Sequence, residues 1–144
     1  MAELAAVKDR VRQIILQRMG EVTEDSDGDF LRRSGSTTVF IRVKPWADYG
    51  QNLVELWAFV GRGITPTPEL FRFVATRSDS FMMGHLGVMD NADGTVDIGM
   101  FHRLLGDDLD AEELMAALGG LSSSSDQLDD EITAIFGGTK FNES

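Results

Sequence analysis

The sequence predicts an α+β fold with an antiparallel sheet, and three observations carry that expectation. Hydrophobic residues recur with helical and strand periods in separate groups: a helix, two or three strands, a helix, two strands, then one broken helix or two. Residues 37–44 alternate, with Val39, Ile41 and Val43 on one side and Thr38, Phe40, Arg42 and Lys44 on the other. Asn91-Ala-Asp-Gly94 is hairpin-turn chemistry between two strand-like runs. The 144 residues suffice for one core, and no internal repeat or long linker divides them. A single domain over residues 1–138 is expected, with 139–144 as a flexible tail.

Residues 2–19 form an amphipathic helix pattern through Leu4, Val7, Val11, Ile14 and Ile15, and Gly20 is placed to end it. A polar turn at 24–29 leads to a short strand at 30–33. After the alternating strand, Pro45 withdraws a backbone donor and Asp48-Tyr-Gly-Gln51 supplies a turn. Residues 52–60 are apolar on both faces, Leu53, Trp57 and Phe59 against Val54, Leu56, Ala58 and Val60. That pattern predicts a central strand covered on both sides, by a helix and by a second subunit.

Thr67-Pro68 is an N-cap followed by proline at the first helical position. Leu70, Phe71, Phe73 and Val74 make the following helix apolar nearly all round, so deep burial is expected. Residues 81–90 and 95–105 form the hairpin. Pairing Asp90 with Thr95 sets His85 opposite Met100, His102 opposite Met83 and Gly84 opposite Phe101, with both imidazoles on one face. Asp110 with Glu113 starts a helix to about Leu121, and Ser124 with Gln127 repeats the capping pattern for a last helix that stops at Gly137-Gly138.

The net charge of −11 is unevenly spread. Residues 1–89 balance acids against bases, whereas 90–144 hold Arg103 and Lys140 as their only bases and carry the whole excess. Nucleic acid and anionic membrane are poor partners for such a chain. The acidic half keeps the protein soluble or steers a basic partner. No apolar run approaches the ~20 residues of a membrane span, and charges at Glu3, Lys8, Asp9, Arg10 and Arg12 interrupt any signal-like segment. The absence of cysteine fits a reducing cytoplasm.

Catalytic and metal chemistry find little support. With Gly28 or Gly94 at the sixth position of a calcium loop, Thr23 and Ser34, or Met89 and Met100, fall where the first and last ligands belong. His85 and His102 lack a third ligand for zinc. No nucleophile elbow or phosphate loop is present, and Asp129-Asp130-Glu131 point in different directions around a helix. No cofactor is expected. What remains is surface: in the register above, Met82, Leu86, Val88 and Phe101 form an apolar sheet face that is expected to bind a partner or a second subunit.

Met83-Gly-His-Leu-Gly87, Asp93-Gly-Thr-Val-Asp97, His102-Arg-Leu-Leu-Gly-Asp107 and Leu128-Asp-Asp-Glu-Ile132, ending in Phe136-Gly-Gly138, resemble YbjN-like proteins, which belong with the CesT-like chaperones of type III secretion. The resemblance runs from the first helix to the Gly-Gly stop. It implies an α-β-β-β-α-β-β-α fold, a twisted antiparallel sheet with helices packed on it, and a homodimer. It also implies a non-enzymatic chaperone or adaptor that binds an extended or partly folded polypeptide client. The alternative is a regulatory module contacting one folded protein or a small ligand.

Overall fold

The computed structural model describes residues 2–143. Helix α1 (Leu4–Met19) leads into β1 (Thr23–Glu24), β2 (Phe30–Ser34), β3 (Thr37–Trp46) and β4 (Gln51–Ile64); α2 (Pro68–Arg77), β5 (His85–Asp90), β6 (Val96–Leu105) and α3 (Ala111–Phe136) follow. The six strands make one antiparallel sheet in the order β1-β2-β3-β4-β6-β5. This is the α+β architecture that the hydrophobic patterns predict, with the two-residue β1 added at one edge.

Local chemistry sets several boundaries where it was expected to. Gly20 takes the left-handed conformation at φ 80° and its N–H donates to the Leu16 carbonyl, closing α1. The Thr67 hydroxyl accepts from the Leu70 N–H at 3.1 Å, capping α2 with Pro68 at the first helical position. The alternation in β3 puts Val39 and Ile41 inside.

The core lies between one face of the sheet and the helices. Val39, Ile41, Val54, Leu56, Ala58, Val60, Ile98 and Met100 join Val7, Val11 and Ile14 of α1, Leu70 and Val74 of α2, and Leu114, Leu118, Leu121, Leu128 and Ile132 of α3 in one buried cluster. Fully burying such side chains stabilises by about 1.5–3 kcal/mol each before conformational entropy is counted.

Three expectations are corrected. The last helical region is one continuous helix of 26 residues. Its buried stripe runs unbroken through Leu121, Ser125 and Leu128, and the Ser125 hydroxyl is satisfied by Thr37 Oγ1 at 3.2 Å, so the serine run packs instead of capping. Helix α2 buries only Leu70 and Val74 and leaves Phe71 exposed, because it covers the outer strand β5 rather than the sheet centre. The hairpin register is shifted: Asp90 pairs with Val96, not Thr95. The Asn91 N–H donates to the Thr95 carbonyl at 2.9 Å, which lengthens the loop by a residue. The Asn91 amide and the Gly63 N–H both donate to Asp97 Oδ1, at 2.9 Å each, and anchor it. A one-residue shift sends every side chain of β5 to the opposite face.

Candidate functional site

Among the described residues no α-helix lies on the second face of the sheet, only a 3-10 turn at residues 141–143 over one corner, and the residues that point there form rows across the strands. Pairing is direct at each step of the central row: Leu31 opposes Phe40, Phe40 opposes Trp57, Trp57 opposes Phe101, and Phe101 opposes His85. Phe40 and Trp57 stack with centroids 5.3 Å apart, and His85 lies over Phe101 at 5.8 Å. Five strands thus carry one apolar, mostly aromatic band whose members other than the exposed His85 are only half-buried. Direct cross-strand aromatic pairs hold such a band rigid.

The flanking rows shape it. On one side Arg42, Glu55 and Arg103 oppose one another. Glu55 accepts from Lys44 at 3.0 Å and Arg103 at 2.7 Å. Burial works to raise the Glu55 carboxyl, but these hydrogen bonds and the two cations outweigh it and hold it below the usual range. Arg42 sits 5.1 Å from the Trp57 ring centre while donating bidentately to the buried Asp29, so it braces the band. On the other side Phe59 opposes Gly99, and Gly99 opposes Gly87. A Cβ on Gly99 would meet Phe101 Cζ at 2.7 Å, so the two glycines form the floor on which that ring lies.

At one corner the chain's own end covers this face. Gly138, at φ 78°, passes so close to β4 that a Cβ there would meet the Arg62 carbonyl oxygen at 2.5 Å. Thr139 then exchanges two backbone hydrogen bonds with Arg62, both 2.9 Å. The Phe141 ring stacks on Phe59 and meets Phe40 edge-on, each at 5.4 Å. The Asn142 amide donates to the Gly35 and Thr37 carbonyls and accepts from the Thr38 hydroxyl, all at 2.8 Å. Residues 139–142, part of the 139–144 tail read from sequence as loose, are docked by these backbone, ring and amide contacts, and the Lys140 amine pairs with Asp130 of α3.

The four residues singled out from sequence are not brought together. Phe101 lies in the central band. Leu86 faces Met100 and is in the core, Val88 is exposed on the helix side, and Met82 is fully exposed in the segment before β5. The physical reason is the shifted hairpin register. The same shift parts the histidines: His85 is on the open face, while His102 opposes Leu56 on the core side, where its Nδ1 accepts from the Gly84 N–H at 3.1 Å. Burial first, and the charge of His85 second, lower the His102 imidazole. The band residues Leu31, Phe40, Trp57 and Phe59 were missed as a site, although Phe40 on the polar side of an alternating strand and the second apolar face of β4 were their signal.

Asp25, Asp27 and Asp29 each place a carboxylate oxygen within 4.8 Å of the others. Asp25 Oδ1 accepts from the Asp27 and Asp29 N–H groups, and Asp29 spends both oxygens on Arg42. These bonds describe a braced turn. A surface groove of about 550 Å³ lined by Arg18, Met19, Met115 and Leu118 opens to solvent between α1, β2 and α3. No helix of the described residues is long and apolar enough to cross a membrane.

Comparison with known proteins places this fold. YbjN from E. coli superposes with a TM-score of 0.66 at 13% identity, over 92% of this chain and 96% of that one. The ExsC–ExsE complex contains a chain that superposes with a TM-score of 0.62 at 18% identity, over 90% and 96% respectively. No curated protein matches. The family model described as T3SS (YopN, CesT) and YbjN peptide-binding chaperone 1 matches residues 5–144, so the chain belongs to that family.

Proposed function

We propose that this protein is a non-enzymatic chaperone or adaptor of the cytoplasm that works as a homodimer and holds an extended or partly folded polypeptide on the uncovered face of its sheet. One observation carries the reading: among the described residues, the band from Leu31 through Phe40, Trp57 and Phe101 to His85 crosses five strands with no α-helix over it and only the 141–143 turn at its Phe40 corner. An apolar face of this kind, rimmed by Arg42, Glu55 and Arg103, has the anatomy of an interface centre with a polar rim. The family's description as peptide-binding and the partner present in the ExsC–ExsE complex support a polypeptide ligand.

Client affinity comes from burying apolar side chains on the band, offset by ordering the client. The net charge of −11 favours basic clients and makes their association salt-sensitive. For the homodimer, β5 is an outer strand of the sheet, and Val88 on it and Phe71 on the adjoining α2 are exposed apolar residues on that side. Met82 and Val88 belong to this second surface in our reading, and Phe101 to the client surface.

Calorimetric titration with reduced, carboxamidomethylated ribonuclease A, a basic chain that cannot refold, tests the reading. Binding that native ribonuclease A does not show, and that Phe101→Asp abolishes while retaining the fold, is the expected result. Equal binding by parent and Phe101→Asp overturns the assignment of the surface. A sedimentation mass of one chain, 15.8 kDa, would refute the homodimer.

A further inference from the structure

The docked chain end displays the chemistry that one corner of the open face accepts. Phe59, Phe40 and the Arg62 guanidinium enclose the Phe141 ring on three sides, with Arg62 at 5.5 Å from its centre. Next to it the Asn142 side chain uses both kinds of amide function. Its nitrogen donates to two main-chain carbonyls, of Gly35 and Thr37, and its oxygen accepts from Thr38, while its own N–H donates to the Ser36 carbonyl at 3.1 Å. A carboxylate in place of that amide would face two carbonyl oxygens, and a glutamine would be a methylene too long. The Thr139 pairing with Arg62 adds the strand-like backbone contact by which extended peptides are held at sheet ends.

We propose that this corner, made by Phe40, Phe59, Arg62 and the 35–38 turn, is a subsite that recognises an aromatic residue followed by asparagine in a client segment that turns there as residues 141–143 do, and that residues 139–142 occupy it in cis as a tethered competitor. The inference rests on the sheet-face reading above and names the client feature that face selects. The subsite is continuous with the central band, because Phe40 belongs to both. A client segment therefore enters by displacing the chain end. A tethered competitor lowers apparent affinity in proportion to the fraction of time it occupies the site.

The test uses the full chain with Phe141→Ala and Asn142→Ala combined, and a fluorescein-labelled peptide bearing the sequence of residues 138–143. Anisotropy should show the variant binding this peptide about tenfold more tightly than the parent, and a peptide with alanine at both positions not binding at all. The variant should also bind carboxamidomethylated ribonuclease A at least as tightly as the parent. Equal peptide affinity for parent and variant overturns the subsite. If Phe101→Asp alone has lost polypeptide binding, the sheet-face reading still stands; if no form binds polypeptide, that reading fails as well. A dimer that becomes a single chain in the variant would show that the end is exchanged between copies, which overturns occupancy in cis. In the parent chain, the Thr139 amide should lose protection from hydrogen exchange when the 138–143 peptide is added in excess, and unchanged protection at a saturating concentration would overturn displacement even if the variant does not fold.

Discussion

The ring of Phe101 lies on Gly99, its neighbour two residues back on the same strand, at a separation that leaves no room for a Cβ: one built there would stand 2.7 Å from Cζ and 2.8 Å from the Met89 methyl. Glycine therefore sets the height of the central band. Gly99→Ala must tilt the ring or push the strands apart, and overpacking of this kind costs about 1–3 kcal/mol. A urea midpoint lowered without a change of slope, together with weaker polypeptide binding, is the expected outcome. A midpoint equal to the parent's would mean that the ring does not need its glycine floor.

Gly119 gives the opposite case. It lies inside α3 with nothing within 4 Å of a built Cβ and with helical backbone, so an alanine there meets no neighbour. Gly119→Ala should stabilise by about 0.5–1 kcal/mol through the unfolded chain and helix propensity. Thermal unfolding checks this, and a lowered midpoint would contradict the continuous helix.

Asp129 on α3 is fully buried and holds the β2–β3 turn through the Ser36 hydroxyl, which donates to Oδ2 at 2.5 Å. Its Oδ1 meets no partner among the described residues. Burial raises the carboxyl above its ordinary 3.8; Asp130 and Asp126 also push it up, against the Ser36 bond and Lys140. The folded state thus binds this proton more tightly than the unfolded state. Its contribution to stability falls as pH rises from the unfolded value through the raised folded one, and above that the charged form is a net cost. Asp129→Asn keeps an acceptor for Ser36 without the charge. It should be more stable than the parent at neutral pH and lose the part of the pH dependence that Asp129 supplies. Parallel stability–pH curves for the two would contradict it.

What could be read from the sequence was what short-range chemistry decides. The Gly20 stop, the Thr67-Pro68 cap and the inward Val39 and Ile41 depend on neighbours within a turn or a pleat, and each stands as expected. The register of β5 on β6 was not legible, because it is held by Asp97, whose carboxylate reaches the Gly63 N–H on another strand. The continuity of α3 was hidden for the same kind of reason: the partner that satisfies Ser125 is Thr37, far away in the chain. The second apolar face of β4 was visible as a pattern. Its meaning was not, since Leu53, Trp57 and Phe59 read equally as packed core until the helices are seen to lie on one side. Phe141 gave no signal at all, standing alone after two glycines.

Trp57 sits in the middle of the aromatic band proposed to hold polypeptide. In a Trp46→Phe background it is the sole tryptophan, so its emission reports on that face alone. Titrating with carboxamidomethylated ribonuclease A, which contains no tryptophan, should shift the Trp57 emission to the blue as water leaves the band, with native ribonuclease A producing no shift. Binding detected by calorimetry with the Trp57 emission unmoved would contradict this placement, since the polypeptide would then be held somewhere other than the open face of the sheet.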